Sequence, residues 1–218
     1  MVKEEYFNGE EWQEYLRLQK ERPEAFAPSD YYTIITEPDR VFDFVNRTGR
    51  KIGVLYRSSF SILVVDLVSD KSGDEFAYER LLPSATGSAV VMIPELGDKF
   101  VLLRQFRHSI RHEQLAFPRG FGEEGLGAAE NAAKEIYEEL GAEVTEQRVL
   151  GEVTGDSGIL GTKVTVIECT VNKAAPEKGN EGIIDLLLLS EDDMNRYISS
   201  GKITDGYTLA AWAFHSAK

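Results

Sequence analysis

The stretch Gly120–Ala142, GFGEEGLGAAENAAKEIYEELGA, sets four glycines within eight residues ahead of a run of helical character. Ala129, Ala132, Ala133, Ile136 and Leu140 recur at helical spacing, which predicts a helix from Ala128 to Leu140. Gly141 supplies its C-terminal stop. Glu135 stands three and four residues before Glu138 and Glu139, so the three carboxylates are neighbours, with Cβ atoms about 5–6 Å apart. Like charges so placed repel, and a hard dication between them reverses the sign. Magnesium takes oxygen ligands at about 2.0–2.1 Å and also binds substrate phosphates. The competing reading is a charged, solvated helix face. A fully apolar opposite face, and glycines that permit close backbone approach to a ligand, weigh toward a metal site.

The rest of the chain bounds what such a site serves. With 218 residues it forms one large domain, or a small domain joined to a medium one. Its 42% hydrophobic and 28% charged residues are ordinary for a soluble globular protein. The apolar runs SILVVDLV and IIDLLLL are broken by Asp66 and Asp185 and fall short of a membrane span. MVKEEYFNGEEW has no apolar or basic presequence character, so a cytoplasmic location is expected. Cys169 is the only cysteine, which excludes an intrachain disulfide and a cysteine-based zinc site. A net charge of −13 makes a poor nonspecific partner for nucleic acid. It still allows a phosphorylated small molecule, held through a metal ion and local arginines.

GEEWQEYLRLQKER places Trp12, Tyr15, Leu16 and Leu18 at helical spacing, and YYTIIT, KIGVLY and FSILVVDLV follow as extended segments. VLYRSSFSIL reads as a hairpin. These elements make residues 1–84 an N-terminal α/β extension, rich in strands and ending near Pro83, and residues 85–218 a second domain. There SAVVMIPEL and KFVLLRQF are strands joined at Gly97–Asp98, and HEQLAFP is a short strand ended by Pro118. After the central helix come the strands QRVLGEVT and TKVTVIECTV around the loop GDSGILG, then the polar loop KAAPEKGNEG and a buried strand, IIDLLLL. Ser190 and Asp193 cap the helix EDDMNRYISS, and DGYTLAAWAFHSA is a last amphipathic helix. Many strands with few helices predict a mixed α+β fold rather than a parallel alternation.

The central stretch resembles the Nudix hydrolase signature: Gly, five residues, Glu, seven residues, then Arg-Glu-apolar-x-Glu-Glu-x-Gly-apolar. It matches at Gly120, Glu135, Ile136, Glu138, Glu139 and Gly141, six of nine specified positions, and departs at Leu126, Lys134 and, weakly, Ala142. FVLLRQFRHSIRHEQLAFPRG and GNEGIIDLLLLSEDDMNRYISSGKITDGYTLAAWAF are similar to segments flanking the signature in the ADP-ribose pyrophosphatase-like group. The resemblance covers roughly residues 76 to 216. It implies a mixed-sheet α/β/α sandwich, and an N-terminal extension that makes a homodimer. The implied activity is metal-dependent hydrolysis of the pyrophosphate bond of a nucleoside diphosphate derivative, such as ADP-ribose or an NDP-sugar. A catalytically weak nucleotide-sugar sensor is the alternative.

The resemblance also implies roles. Glu135 and Glu139, assisted by Glu138, bind Mg²⁺ or Mn²⁺, and the main-chain carbonyl of Arg119, before Gly120, is a further ligand. Arg107, Arg111 and Arg119 are the candidates for the diphosphate, with the Arg119 side chain read equally as a surface cover. A loop glutamate is the base: Glu181, with Glu177 as the nearby alternative. In the family a Glu–Arg pair orients the metal-binding glutamates; here Leu126 and Lys134 replace both, and Lys134 is free to turn to Glu123, Glu124 or Glu138. Arg104 reads as a solvated edge charge. His108 and His112, four apart in a non-helical link, read as exposed.

Overall fold

The computed structural model of the chain describes residues 2–175 and 180–217. It divides into two compact units, residues 1–84 with 156–161, and residues 85–155 with 162–218. The GDSGILG loop therefore belongs in its larger part to the first unit.

In the first unit, α1 (Lys3–Asn8) and α2 (Glu10–Glu21) precede β1 (Thr33–Ile34), α3 (Pro38–Thr48), β2 (Gly53–Arg57), β3 (Ser61–Ser69) and β4 (Glu75–Pro83). Trp12, Tyr15 and Leu18 form the buried face of α2, and Leu16 is only half-buried. β3 is the central strand, with antiparallel pairing to β1 and β2 along one edge and to β4 along the other. The β2–β3 hairpin is the VLYRSSFSIL pair. α3 is absent from the strand-rich reading of this region, yet its signals are local. Pro38 opens the first turn, Val41, Phe44 and Val45 bury at i, i+3 and i+4, and Gly49 ends the helix at φ 72°. On β3, buried Asp66 accepts hydrogen bonds from Tyr15 Oη of α2 and Arg80 Nε of β4, each at 2.6 Å, so its charge is paired.

The second unit is built from β5 (Ala89–Leu96), β6 (Lys99–Arg107), β7 (His112–Ala116), β8 (Arg119–Gly120), α4 (Ala128–Leu140), β9 (Val144–Thr154), β10 (Lys163–Val171), β11 (Ile183–Leu189), α5 (Glu191–Ser199) and α6 (Gly206–Ser216). Its sheet runs β11–β6–β5–β10–β9, with β5 and β10 parallel and the other pairs antiparallel. The β5–β6 hairpin pairs only beside its turn, at Glu95–Phe100 and Leu96–Lys99. The strands then take separate partners: β7 lines β6 from Leu103 to Arg107, and β8 pairs Arg119 and Gly120 with Val91 and Val90 of β5. This parting sets the residues before the glycine-rich loop against the middle of the sheet.

Alternation along β5 sends Ala89, Val91 and Ile93 to one core and Val90 and Met92 to the other. The first core is closed by α5 and α6 through Met194, Ala211 and Trp212. The second is closed by α4 through Ala132, Ile136 and Leu140. The result is a mixed α+β sandwich with helices on both faces of the sheet. β11 is half-buried along most of its length rather than fully buried, with Leu188 exposed. Among the described residues, no helix is long and apolar enough to cross a membrane.

Candidate active site

α4 occupies the predicted range, but its buried face is rotated from the alanine stripe. Ala129 is exposed and Ala133 half-buried, while Asn131, Ala132, Ile136, Glu139 and Leu140 are buried. The glutamates are thus not aimed away from the core as one group. Glu138 is exposed, Glu135 is half-buried, and Glu139 is only 4% exposed.

Glu135 and Glu139 carry the largest electrostatic consequences of this rotation. Burial, then the charge of Glu138, push the Glu135 carboxyl up to about 7. Burial, then the charge of Glu135, push Glu139 up to about 8, against a hydrogen bond donated to its Oε2 by the Arg119 main-chain N–H at 3.2 Å. Glu181 contributes to both shifts, so this loop residue faces the helix carboxylates. It holds a left-handed backbone (φ 48°, ψ 25°), uncommon for a residue with a Cβ, and its carbonyl accepts from Gln105 Nε2 at 2.7 Å. Glu177, the alternative in the same loop, lies outside the described residues.

Two arginines adjoin the carboxylates. Burial, then the neighbouring Arg119, lower the affinity of Arg107 for its proton, while Asp205, Glu139 and Glu181 act the other way. The buried Arg107 Nε has no hydrogen-bond partner among the described residues. Arg119 donates from Nη1 to Asp205 Oδ1 at 3.1 Å, and its guanidinium lies 5.4 Å from the Tyr207 ring centre. It is neither free nor a mere surface cover. Arg111 sits apart in the β6–β7 turn at φ 55°, beside His108 Nδ1 at 2.8 Å and over the Phe106 ring. Arg104 forms a two-pronged pair with Asp185 and also contacts Glu113; its strand is flanked there by both β11 and β7, so it is a paired charge within the sheet and not a solvated edge charge.

Two of the four loop glycines, Gly120 and Gly122, serve the protein's own packing. A Cβ on Gly120 would lie 1.9 Å from Glu135 Oε1, and one on Gly122 would lie 1.9 Å from the Gly87 carbonyl. Asn131, fully buried, donates from Nδ2 to the carbonyls of Ser88 and Phe121 and so ties the loop to α4. At the substituted anchor, Lys134 Nζ bonds Glu123 at 2.5 Å and Glu138 at 3.2 Å, and both raise its affinity for the proton, Glu123 first. Leu126 is half-buried.

Sequence reasoning missed Asp205, Asn131, Gln105 and Gly87. Asp205 carries a visible helix-start signal and accepts from Thr208 N–H at 2.9 Å, but its pairing with Arg119 crosses 86 residues. The donor set fits a hard divalent ion: oxygen ligands only, closely spaced, and forced toward neutrality by burial and mutual repulsion when no cation offsets them.

A family model of the NUDIX domain matches residues 85–185, and no curated protein matches the chain. Among solved structures, the crystal structure of an ADP compounds hydrolase is similar, with a TM-score of 0.67 and 17% identity over 77% of this chain and 90% of that one. At that identity the likeness speaks for the fold alone. The domain match takes in the glycine-rich loop, α4 and the strands that position them, and by it residues 85–185 of this chain form a NUDIX domain.

Proposed function

We propose that this Nudix pyrophosphohydrolase uses Mg²⁺ or Mn²⁺ to cleave a nucleoside diphosphate derivative, with ADP-ribose and NDP-sugars as first candidates. The observation that supports this most is the meeting of Glu135, Glu139 and Glu181 with Arg107, whose buried Nε lacks a partner among the described residues. The ADP compounds in the name of the structural neighbour guide the choice of probes.

When bound, the cation neutralises charge on the diphosphate and acidifies water. Glu135 and Glu139 hold it, with Glu138 assisting from the exposed side and the Arg119 carbonyl adding a ligand. Arg107 donates to a phosphate oxygen, which satisfies its unpartnered Nε. The Arg119 side chain, held by Asp205, adds a second positive charge on the phosphate side. Glu181 receives the proton of the attacking water, and Gln105 fixes its backbone for that role. One P–O bond forms, the bridging P–O bond breaks, and a nucleoside monophosphate leaves. Arg111, engaged by His108 and Phe106, has no part in this reading.

A substrate screen with Mg²⁺ and with Mn²⁺, run beside Glu139→Gln, tests the proposal. Metal-dependent release of nucleoside monophosphate, lost in the variant, is expected. Binding without turnover across ADP-ribose, NDP-sugars, dinucleotides and CoA would instead assign the chain as a sensor, a reading that the Leu126 and Lys134 substitutions keep in play. The same proposal includes a cytoplasmic homodimer formed through the N-terminal unit, where Tyr31 and Tyr56 are exposed. A monomeric mass in solution would remove the dimer.

A further inference from the structure

On the sheet face opposite α4, three metal-ligating side chains converge. Alternation along β5 and β10 puts Glu95 on the side of Val91 and Ile93, and Glu168 on the side of Val164 and Val166, the face that α6 covers. His215, near the end of α6, comes down between them. One ligand atom from each of Glu95, Glu168 and His215 lies within 4.8 Å of the other two, and all three residues are half-buried.

The group is preorganised by contacts of its own. The His215 ring stacks on Trp212, with centroids 4.8 Å apart and planes at 19°, and meets the Phe100 ring edge-on at 5.0 Å. Its Nδ1 lies 2.6 Å from Glu168 Oε1. The other oxygen of Glu168 accepts from Arg148 at 2.8 Å, so Arg148 orients the carboxylate and leaves Oε1 turned toward the histidine. Ring and carboxylate are therefore held in place by groups that would not themselves touch a metal.

We infer that Glu95, Glu168 and His215 form a binding site for a transition-metal cation, with Zn²⁺ the best-suited common ion, separate from the glutamates of α4. An imidazole with two carboxylates is a mixed nitrogen–oxygen set, which suits zinc and its neighbours, whereas an all-oxygen set suits magnesium. Zinc ligands at about 2.0–2.1 Å in a tetrahedron stand roughly 3.3 Å apart, so the 2.6 Å histidine–Glu168 contact opens slightly to admit the ion. Three protein ligands leave a fourth position for water. The ion would fasten the end of α6 to β5 and β10, and α6 is the helix whose N-cap is Asp205, the partner of Arg119.

The test uses the full chain with Glu135→Gln and Glu139→Gln, which removes the α4 carboxylates from competition. Dialysis against Zn²⁺ should leave about one equivalent bound, and Co²⁺ should give the visible absorption of a tetrahedral site. His215→Gln and Glu95→Gln should each weaken uptake at least about ten-fold with unchanged circular dichroism. Glu95→Gln leaves the His215–Trp212 stack untouched and so stands as the control if the histidine variant folds poorly. Absence of Zn²⁺ uptake, or uptake that Glu95→Gln leaves intact, overturns the site and makes the cluster an ion pair of a protonated His215.

Discussion

The main chain at Gly120 and the side chain of Glu135 share one space: a Cβ at position 120 would lie 1.9 Å from Oε1 and 2.1 Å from Cδ of the glutamate. Gly120 is held in β8 by pairing with Val90 in the middle of the sheet, so the strand cannot retreat. The glycine of the signature is there to admit a carboxylate.

Gly120→Ala should therefore swing Glu135 away while the sheet stays intact. Turnover with Mg²⁺ is expected to fall by about 10–100-fold, the range seen when the support of a metal ligand is lost. The melting temperature should change little. Wild-type turnover in this variant would show that Glu135 works from another position.

Apo-protein stability should fall as pH rises. Glu135 and Glu139 have folded-state pKa values raised to about 7 and about 8 from an ordinary 4.5, so between these limits the folded state retains protons that the unfolded chain has released. Their stabilising contribution is complete below about pH 4.5 and is lost as pH climbs through 7 to 8. Mn²⁺ affinity should move oppositely, tightening over that window as the carboxylates ionise. Thermal melts with EDTA across pH 5–9, paired with Mn²⁺ titrations, check both slopes. A flat melt profile would rule out the protonated pair.

Asp205 has two duties that separate by substitution. Asp205→Ala removes the α6 cap and should cost about 1–2 kcal/mol in urea unfolding. Asp205→Asn keeps a capping side chain but not the charge that holds Arg119. It should melt nearer wild type and raise KM more than it lowers kcat. Equal kinetics in the asparagine variant would detach Arg119 from substrate binding.

The Lys134 bonds to Glu123 and Glu138 are partly exposed, and Lys134→Ala should cost less than about 1 kcal/mol. The double change Leu126→Glu with Lys134→Arg should tighten metal binding and raise turnover by restoring an anchoring pair. If both stay unchanged, the anchor does not limit this enzyme, and the lysine bonds to Glu123 and Glu138 suffice.

Glu181→Gln should lower kcat by about 10²–10⁴-fold, the usual worth of a general base, with Mn²⁺ affinity nearly intact. A small effect would move the base elsewhere in the same loop.

The register of GFGEEGLGAAENAAKEIYEELGA was enough to locate α4, its three glutamates and its Gly141 stop, because helix spacing and end signals are local properties of the chain. The alternating strands of the second unit were legible for the same reason. α3 escaped although its proline, apolar spacing and glycine are all local, because strand-like segments on both sides set the reading of the region. What no local pattern carried is the tertiary pairing: Glu139 turned inward with its carboxyl raised, Asp205 holding Arg119, Gln105 fixing Glu181, and Lys134 shared by two glutamates. Those depend on desolvation and on contacts between residues far apart in sequence. The sequence alone determined where the glutamates and glycines of the signature stand along α4 and its loop; only the packed fold decided which are buried, how their charges shift and which neighbours hold them.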